Sequence, residues 1–238
     1  MPLAFLLLVC LSPSPADDGW IELAGPTGLQ AWKTPTGLWA DVGSVKIDPA
    51  TPKLLTSELG SGILVNGKLG RTLNLLSKDD FGDVECHVEF LIPKGSNAGV
   101  KLEGLYEVQI YDSFGVKNPK ASDCGGVYPR AQLLPIYHYL DEGFPPKLNA
   151  CKPPGEWQTL DITFLTPRFD ASGKKTQNAK FVKVLLNGQV VQENLSVPYP
   201  TGHAWTTPEI PKGPILLQAD HGPVAFRSVK VRPLPPAP

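Results

Sequence analysis

No segment of this 238-residue chain shows helical periodicity over ten or more residues, which excludes a helical bundle. Neither sign of charge dominates: 22 Lys and Arg stand against 23 Asp and Glu, for a formal net charge of -1. That balance excludes the attraction on which nucleic-acid and anionic-membrane partners depend. Basic residues are not interleaved with aromatics, and the tight cluster Lys174–Lys175 sits in a polar, turn-like stretch. The apolar run Leu3–Leu11 falls far below the roughly 20 residues of a spanning helix, so no transmembrane segment is expected. Internal repeats are missing, which counts against a structural or adhesive array. G-x-S-x-G does not occur, and the four histidines (His87, His138, His203, His221) neighbour no Ser or Cys motif. "GSNAG" precedes a strand rather than a helix, so no helix dipole is there to hold a phosphate.

Cysteine is scarce, and its placement is informative. The opening "MPLAFLLLVCLSPSPADD" resembles a secretory signal peptide cut after Ala16, although no Lys or Arg precedes its apolar run. This gives a leader over 1–16, a single domain over 17–234 and a frayed Pro-rich tail over 235–238. Export to the periplasm or the exterior is the expectation. Lipid anchoring through Cys10 fits less well, because Val9 replaces the small residue usual before it. Removing the leader leaves Cys86, Cys124 and Cys151, an odd count that cannot close a disulfide framework. Cys86 in "VECHVEFLI" reads as a buried thiol, while Cys124 and Cys151 lie in loops and would pair only in an oxidising compartment. No pair has the spacing of a structural zinc site.

What the chain does have is 23 Gly and 26 Pro, punctuating a 42% hydrophobic sequence. Between them recur short strand-like runs: "GWIEL", "GILVN", "LNLLS", "VECHVEFLI", "GVKLEG", "YEVQIYD", "WQTLDITFL", "FVKVLLNGQVV", "PILLQAD" and "VAFRSVKVR". Asn187-Gly188 between apolar runs predicts a tight hairpin, and Val65–Gly70 repeats that chemistry. The chain is all-β, and many short strands without blade repeats predict a two-sheet sandwich of jelly-roll type. Residues 116–155 and 198–214 are poor strand material. Long aromatic loops of this kind point to a binding surface laid over a sheet.

Carboxylates are the chemistry the sequence offers. In "YEVQIYDSFG" a period of two sets Tyr106, Val108 and Ile110 on one face, and Glu107, Gln109 and Tyr111 on the other, with Asp112 at the exit. Glu103, and Asp220 with His221, also lie on or beside strands. Paired acids and bases suit glycoside or elimination chemistry, and the same scatter also suits an ordinary wet sheet face. Arg227 shares the parity of Ala225, Val229 and Val231, so it is either half of a structural ion pair or a substrate clamp.

Taken in order, "SNAGVKLEGLYEVQIYDSFG", "CGGVYPRA", "KPPGEWQTLDITF", "VLLNGQVV" and "GPILLQADHGPVAFRSVKVRPL" resemble the 3-keto-disaccharide hydrolase domains. That family is also described as 3-keto-α-glucoside 1,2-lyase/3-keto-2-hydroxy-glucal hydratase. The resemblance runs from Gly19 to Leu234 and implies a concanavalin A-like jelly roll with a site on its concave sheet. It further implies a carbohydrate-active enzyme that removes the proton α to a C3 ketone, expels the C1 substituent and hydrates the product. Asn97 and Gly99 match the family's N-S-G stretch, with Ala98 replacing Ser; Glu107 and Gln109 match Y-E-x-Q, and Asp112 the acid after it. Tyr128 matches G-x-Y, Gln218 and His221 match L-Q-x-H-G, and Arg227 matches F-R-N, with Ser228 replacing Asn. Glu103 stands where many relatives carry Arg or Gln.

The resemblance thus implies Glu107, His221 and Asp112 as catalytic groups, and Asn97, Gln109, Tyr128, Gln218 and Arg227 as substrate-binding ones. A divalent metal ion is a possible cofactor, with Glu107 and His221 as its candidate ligands. A 3-keto-glucoside or related glycan is the expected partner. The alternative is a non-catalytic carbohydrate-binding module using Tyr128, Tyr137 and Tyr139 as an aromatic platform.

Overall fold

The computed structural model describes residues 19–235. The expected leader with Cys10, and residues 236–238 of the tail, lie outside the described residues. The chain begins with β1 (Ile21–Ala24), β2 (Ala40–Ile47), β3 (Leu55–Val65), β4 (Leu75–Phe81) and β5 (Val84–Leu91). Next come β6 (Asn97–Leu102), β7 (Tyr106–Tyr111), and the short β8 (Ala131–Gln132) and β9 (His138–Tyr139). It closes with β10 (Gln158–Leu165), β11 (Arg168–Phe169), β12 (Lys175–Gln177), β13 (Ala179–Leu186), β14 (Gln189–Val197), β15 (Gly213–Gln218) and β16 (Ala225–Pro233). A 3-10 turn at His203–Thr206 is the only helical element among the described residues. No helix among them is long and apolar enough to cross a membrane.

Two antiparallel sheets make the body. The larger is ordered β14-β13-β10-β5-β16-β3-β2, with β1 also pairing on β16; the smaller is ordered β4-β15-β6-β7. Alternation along the strands turns one face of each sheet toward a shared core. Val84, Cys86, Val88 and Phe90 of β5 meet Tyr106, Val108 and Ile110 of β7 in that core. Tyr106 on the smaller sheet packs on Phe164 at 5.3 Å, and Phe164 on Phe181 at 5.0 Å, so an aromatic column ties the layers together. Full burial of one such ring contributes roughly 1.5–3 kcal/mol. Cys86 is one of these buried groups, and burial pushes its thiol up to about 12.

Asn187 and Gly188 take positive φ of 52° and 78° and join β13 to β14, as the Asn-Gly pair predicts. Asn66-Gly67 does something else. It follows β3 of the larger sheet and leads to β4 of the smaller one, so it forms a crossover corner and not a hairpin. Asn66 is fully buried there; its amide donates to the Ala219 and Gly222 carbonyls and accepts from the Val224 amide. A second departure is β2, which no apolar run announces. Half of its residues are exposed and only Val42 is buried, as suits the edge of its sheet.

Two poorly periodic segments finish the smaller sheet. Residues 125–128 run along the free edge of β7: Gly125 N–H donates to the Gln109 carbonyl, Gln109 N–H to Gly126 and Tyr128 N–H to Glu107. Thr201 continues this edge, its amide donating to the Leu105 carbonyl at 3.0 Å. Gly202 in turn is tied to Pro129 and Ala131. Long loops therefore lie over the outer face of the smaller sheet, as the aromatic segments suggest.

Candidate active site

The register of the smaller sheet brings the site together. Lys101 faces Glu107, Gly99 faces Gln109, and Asn97 faces Tyr111 across β6 and β7, while Gln218 on β15 flanks Gly99 from the other side. All of these point away from the core. Expected for such a face is a run of solvated side chains, yet Glu107 is 2% exposed, Gln109 1% and Lys101 7%.

Lys101 Nζ lies 3.1 Å from Glu107 Oε2, so the centre of the face is an ion pair nearly closed off from water. Removing one member of a buried pair strands the other and costs roughly 3–5 kcal/mol. Gly99 makes room for the carboxylate, since a Cβ there would stand 2.4 Å from Glu107 Oε1. The Glu107 amide donates to Thr201 Oγ1 at 2.9 Å, which in turn donates to the Leu105 carbonyl at 3.0 Å. Gly202 forms the roof: a Cβ on it would lie 3.8 Å from Lys101 Nζ, 3.9 Å from Glu107 Oε2 and 4.0 Å from Tyr128 Cδ1.

Beside the ion pair lie polar groups whose hydrogen bonding is incomplete. Gln109 Nε2 donates to Asn97 Oδ1 at 3.0 Å, but Gln109 Oε1 and Gln218 Oε1 are buried without any donor. Buried acceptors are rarely left unpaired in native proteins, so two of them flanking Gly99 mark a place for a ligand with hydroxyl donors. Tyr128, Tyr137 and Tyr139 border the same region. Tyr128 Oη is 2.9 Å from Tyr137 Oη and 3.0 Å from Tyr139 Oη. Burial first, then these hydrogen bonds, push the Tyr128 phenol well above its ordinary range. Burial also raises Tyr137, and the nearby Glu107 charge adds to it. The rings of Tyr128 and Tyr139 cross at 82°, and those of Tyr137 and Tyr139 at 75°, so they offer edges and not one flat platform.

Glu107, Gln109, Asn97, Gln218 and Tyr128 thus lie together at the smaller sheet. Other expected residues sit elsewhere. Asp112 accepts from the Gly95 amide at 2.8 Å and holds the turn between β5 and β6. His221 is exposed and its Nδ1 lies 2.6 Å from Asp220 Oδ1. Gly222 packs against Ser96 and the Asn97 amide, which sets His221 at the Asn97 end of the face, while Lys101 lies four positions further along β6.

Arg227 requires a correction of its parity. A bulge between Phe226 and Ser228 turns it out of register with Val229 and Val231, and it pairs with Glu89 on the outer face of the larger sheet. Its guanidinium covers the Trp157 ring at 4.6 Å. The core separates Arg227 from Glu107, which leaves the ion-pair reading of this residue. Glu103 is likewise off the site, buried in the turn between β6 and β7.

A divalent ion shared by Glu107 and His221 does not fit these positions. Lys101 already supplies the positive charge against Glu107, His221 stands by Asp220 at the strand end, and no group of three His, Cys, Asp or Glu gathers as ligands among the described residues. Lys101, Thr201 and Gly202 are the site residues that the sequence did not reveal.

A polar, loop-covered face on a two-sheet β-sandwich, with unpaired acceptors around a buried ion pair, suits a hydroxyl-rich ligand, and the family match identifies a carbohydrate-acting protein. The chain belongs to the 3-keto-alpha-glucoside-1,2-lyase-like domain family, whose model matches residues 19–232. Among solved structures it is similar to a protein of Parabacteroides distasonis, provisionally named a glycosyl hydrolase, at 24% identity and a TM-score of 0.64, covering 91% of this chain and 84% of that one. A second protein of that organism, named in the same way, is 21% identical with a TM-score of 0.55, covering 90% of this chain and 99% of that one. These likenesses show the fold. A search of curated protein sequences finds no match.

Proposed function

We infer that this protein is an enzyme that cleaves glycosides already oxidised at C3. The observation that carries this reading is the Lys101–Glu107 pair, set 3.1 Å apart on the sheet floor beside the unpaired acceptors of Gln109 and Gln218. In a 3-keto-glycoside the C2 hydrogen is α to a carbonyl and therefore acidic. Glu107 is placed to remove it as a general base, and the Lys101 ammonium to stabilise the enolate oxygen that forms. Gln109, oriented by Asn97, and Gln218 accept hydrogen bonds from sugar hydroxyls. Departure of the C1 substituent gives a 2-hydroxy enone, and addition of water makes the outcome a net hydrolysis. No covalent nucleophile is required, in keeping with the lack of a nucleophile motif. Export through a signal peptide remains part of the proposal.

The test is incubation with a 3-keto-glucoside and with its unoxidised parent. Turnover of the keto form alone, falling by about 10²–10⁴-fold in Glu107→Gln, is the expected result. Because Glu107→Gln strands Lys101, melting curves accompany it, together with the charge-balanced Glu107→Gln/Lys101→Met double variant. Turnover of neither sugar sinks the enzyme reading. Binding without turnover would instead point to a carbohydrate-binding module, which the crossed tyrosine rings do not favour.

A further inference from the structure

The three tyrosine hydroxyls form one cluster, with Tyr128 Oη 2.9 Å from Tyr137 Oη and 3.0 Å from Tyr139 Oη, and Tyr137 and Tyr139 interact with each other as well. A phenol both donates and accepts, so a proton given up by one member can be replaced from its neighbour. Tyr137 and Tyr139 are 49% and 47% exposed and so accessible to a ligand, and Tyr137 lies near enough to Glu107 to feel its charge. The Tyr128 ring, the Lys101 ammonium and the Glu107 carboxylate all border the small space under Gly202. His221, by contrast, is engaged with Asp220 at the end of its strand.

We propose that the Tyr128–Tyr137–Tyr139 hydroxyl cluster is the general acid of the reaction, delivering a proton to the oxygen that leaves C1. The proposal rests on the elimination described under Proposed function and names the donor it needs. Glu107 takes the C2 proton, and the C2–H electron pair becomes the C1–C2 double bond. The C1–O bond breaks with its pair on oxygen, which takes the phenolic proton. The products are the enone and a free alcohol, with Glu107 protonated and one tyrosine ionised. Return of that proton along the hydroxyl chain, or through water, restores both. Burial makes the Tyr128 phenol a weaker acid, so proton transfer accompanies C1–O cleavage, as negative charge develops on the departing oxygen.

Leaving-group chemistry tests this directly. Methyl and 4-nitrophenyl 3-keto-glucosides are compared in Tyr128→Phe, Tyr137→Phe, Tyr139→Phe, the triple Phe variant and His221→Ala. A nitrophenoxide leaves without help, whereas a methoxide does not. The triple variant, and at least one single one, is expected to lose about 100-fold on the methyl substrate and less than about fivefold on the nitrophenyl one. In deuterated water the triple variant still exchanges the C2 hydrogen of the methyl substrate, because Glu107 is intact while expulsion is blocked. Equal losses on both substrates overturn the proposal, as does a leaving-group-dependent loss in His221→Ala. Either result leaves the elimination standing. Failure of the wild-type protein to turn over either keto-glucoside overturns the elimination and this proposal together.

Discussion

Glu103 shows how far a single buried carboxyl can depart from its ordinary behaviour. It is 4% exposed, sits at a positive φ of 57°, and neither of its oxygens has a hydrogen-bond partner. Burial, then the charges of Glu209 and Asp83, push it from 4.5 up to about 9. Between those values the folded protein keeps a proton that the unfolded chain has lost. Stability therefore falls as pH rises through this window, by at most ~1.4 kcal/mol per pH unit, and levels off above about 9. Glu103→Gln removes the linkage. Thermal melts should show the variant more stable than wild type at pH 8, with the gap closing toward pH 5; a gap independent of pH would assign the effect to another cause.

The same turn explains what the sequence concealed about Lys101. Glu103 and Gly104 both take positive φ, and together they close β6 onto β7 so that Lys101 meets Glu107. The Glu-Gly pair was the available signal. Without fixing that register, a lysine in a strand reads as an ordinary wet residue, since a shift of one position moves it to the other face.

Among the elements, β16 shows where alternation stops being a guide. Before its bulge the odd residue Ala225 lies on the outer face with Leu91, and after it the odd residues Val229 and Val231 lie in the core. One extra residue inverts the parity, and nothing in "AFRSVKV" marks where it is inserted. Arg227 falls at that point, 46% exposed at its side chain and paired with Glu89. Arg227→Ala should leave kcat/KM within about twofold and cost no more than about 1 kcal/mol of stability, as surface ion pairs do. Steady-state kinetics on the 3-keto-glucoside checks this, and a tenfold loss would return Arg227 to the site. By contrast the β7 alternation is uninterrupted, and so Glu107 and Gln109 were legible from sequence while Arg227 was not.

Across the whole molecule, the two outer faces have opposite characters although their strands read alike. On the larger sheet, Glu85 pairs with Arg232, His87 with Asp161 and Glu89 with Arg227, all partly exposed. On the smaller sheet, irregular segments cover a comparable set of polar side chains. The sandwich class was readable because periodicity reports which face of a strand meets the core. It says nothing about what lies over the other face, and the path of 198–206 across Glu107 has no periodicity to read.

That coverage encloses one positive and one negative group in contact, Lys101 and Glu107, within a chain whose formal net charge is only -1. The pocket floor is electrically balanced, so it neither draws in anionic sugars from a distance nor repels them. Uncharged sugars meet no long-range field on approach. The KM for a neutral 3-keto-glucoside should then stay nearly constant from about 0.01 to 0.5 M salt, a range over which the screening length shrinks from about 30 Å to a few ångströms. A steep rise in KM with salt would mean that charges outside the Lys101–Glu107 pair guide the substrate. Uronic-acid sugars, which need a surplus of positive charge to offset their carboxylates, find none on this floor.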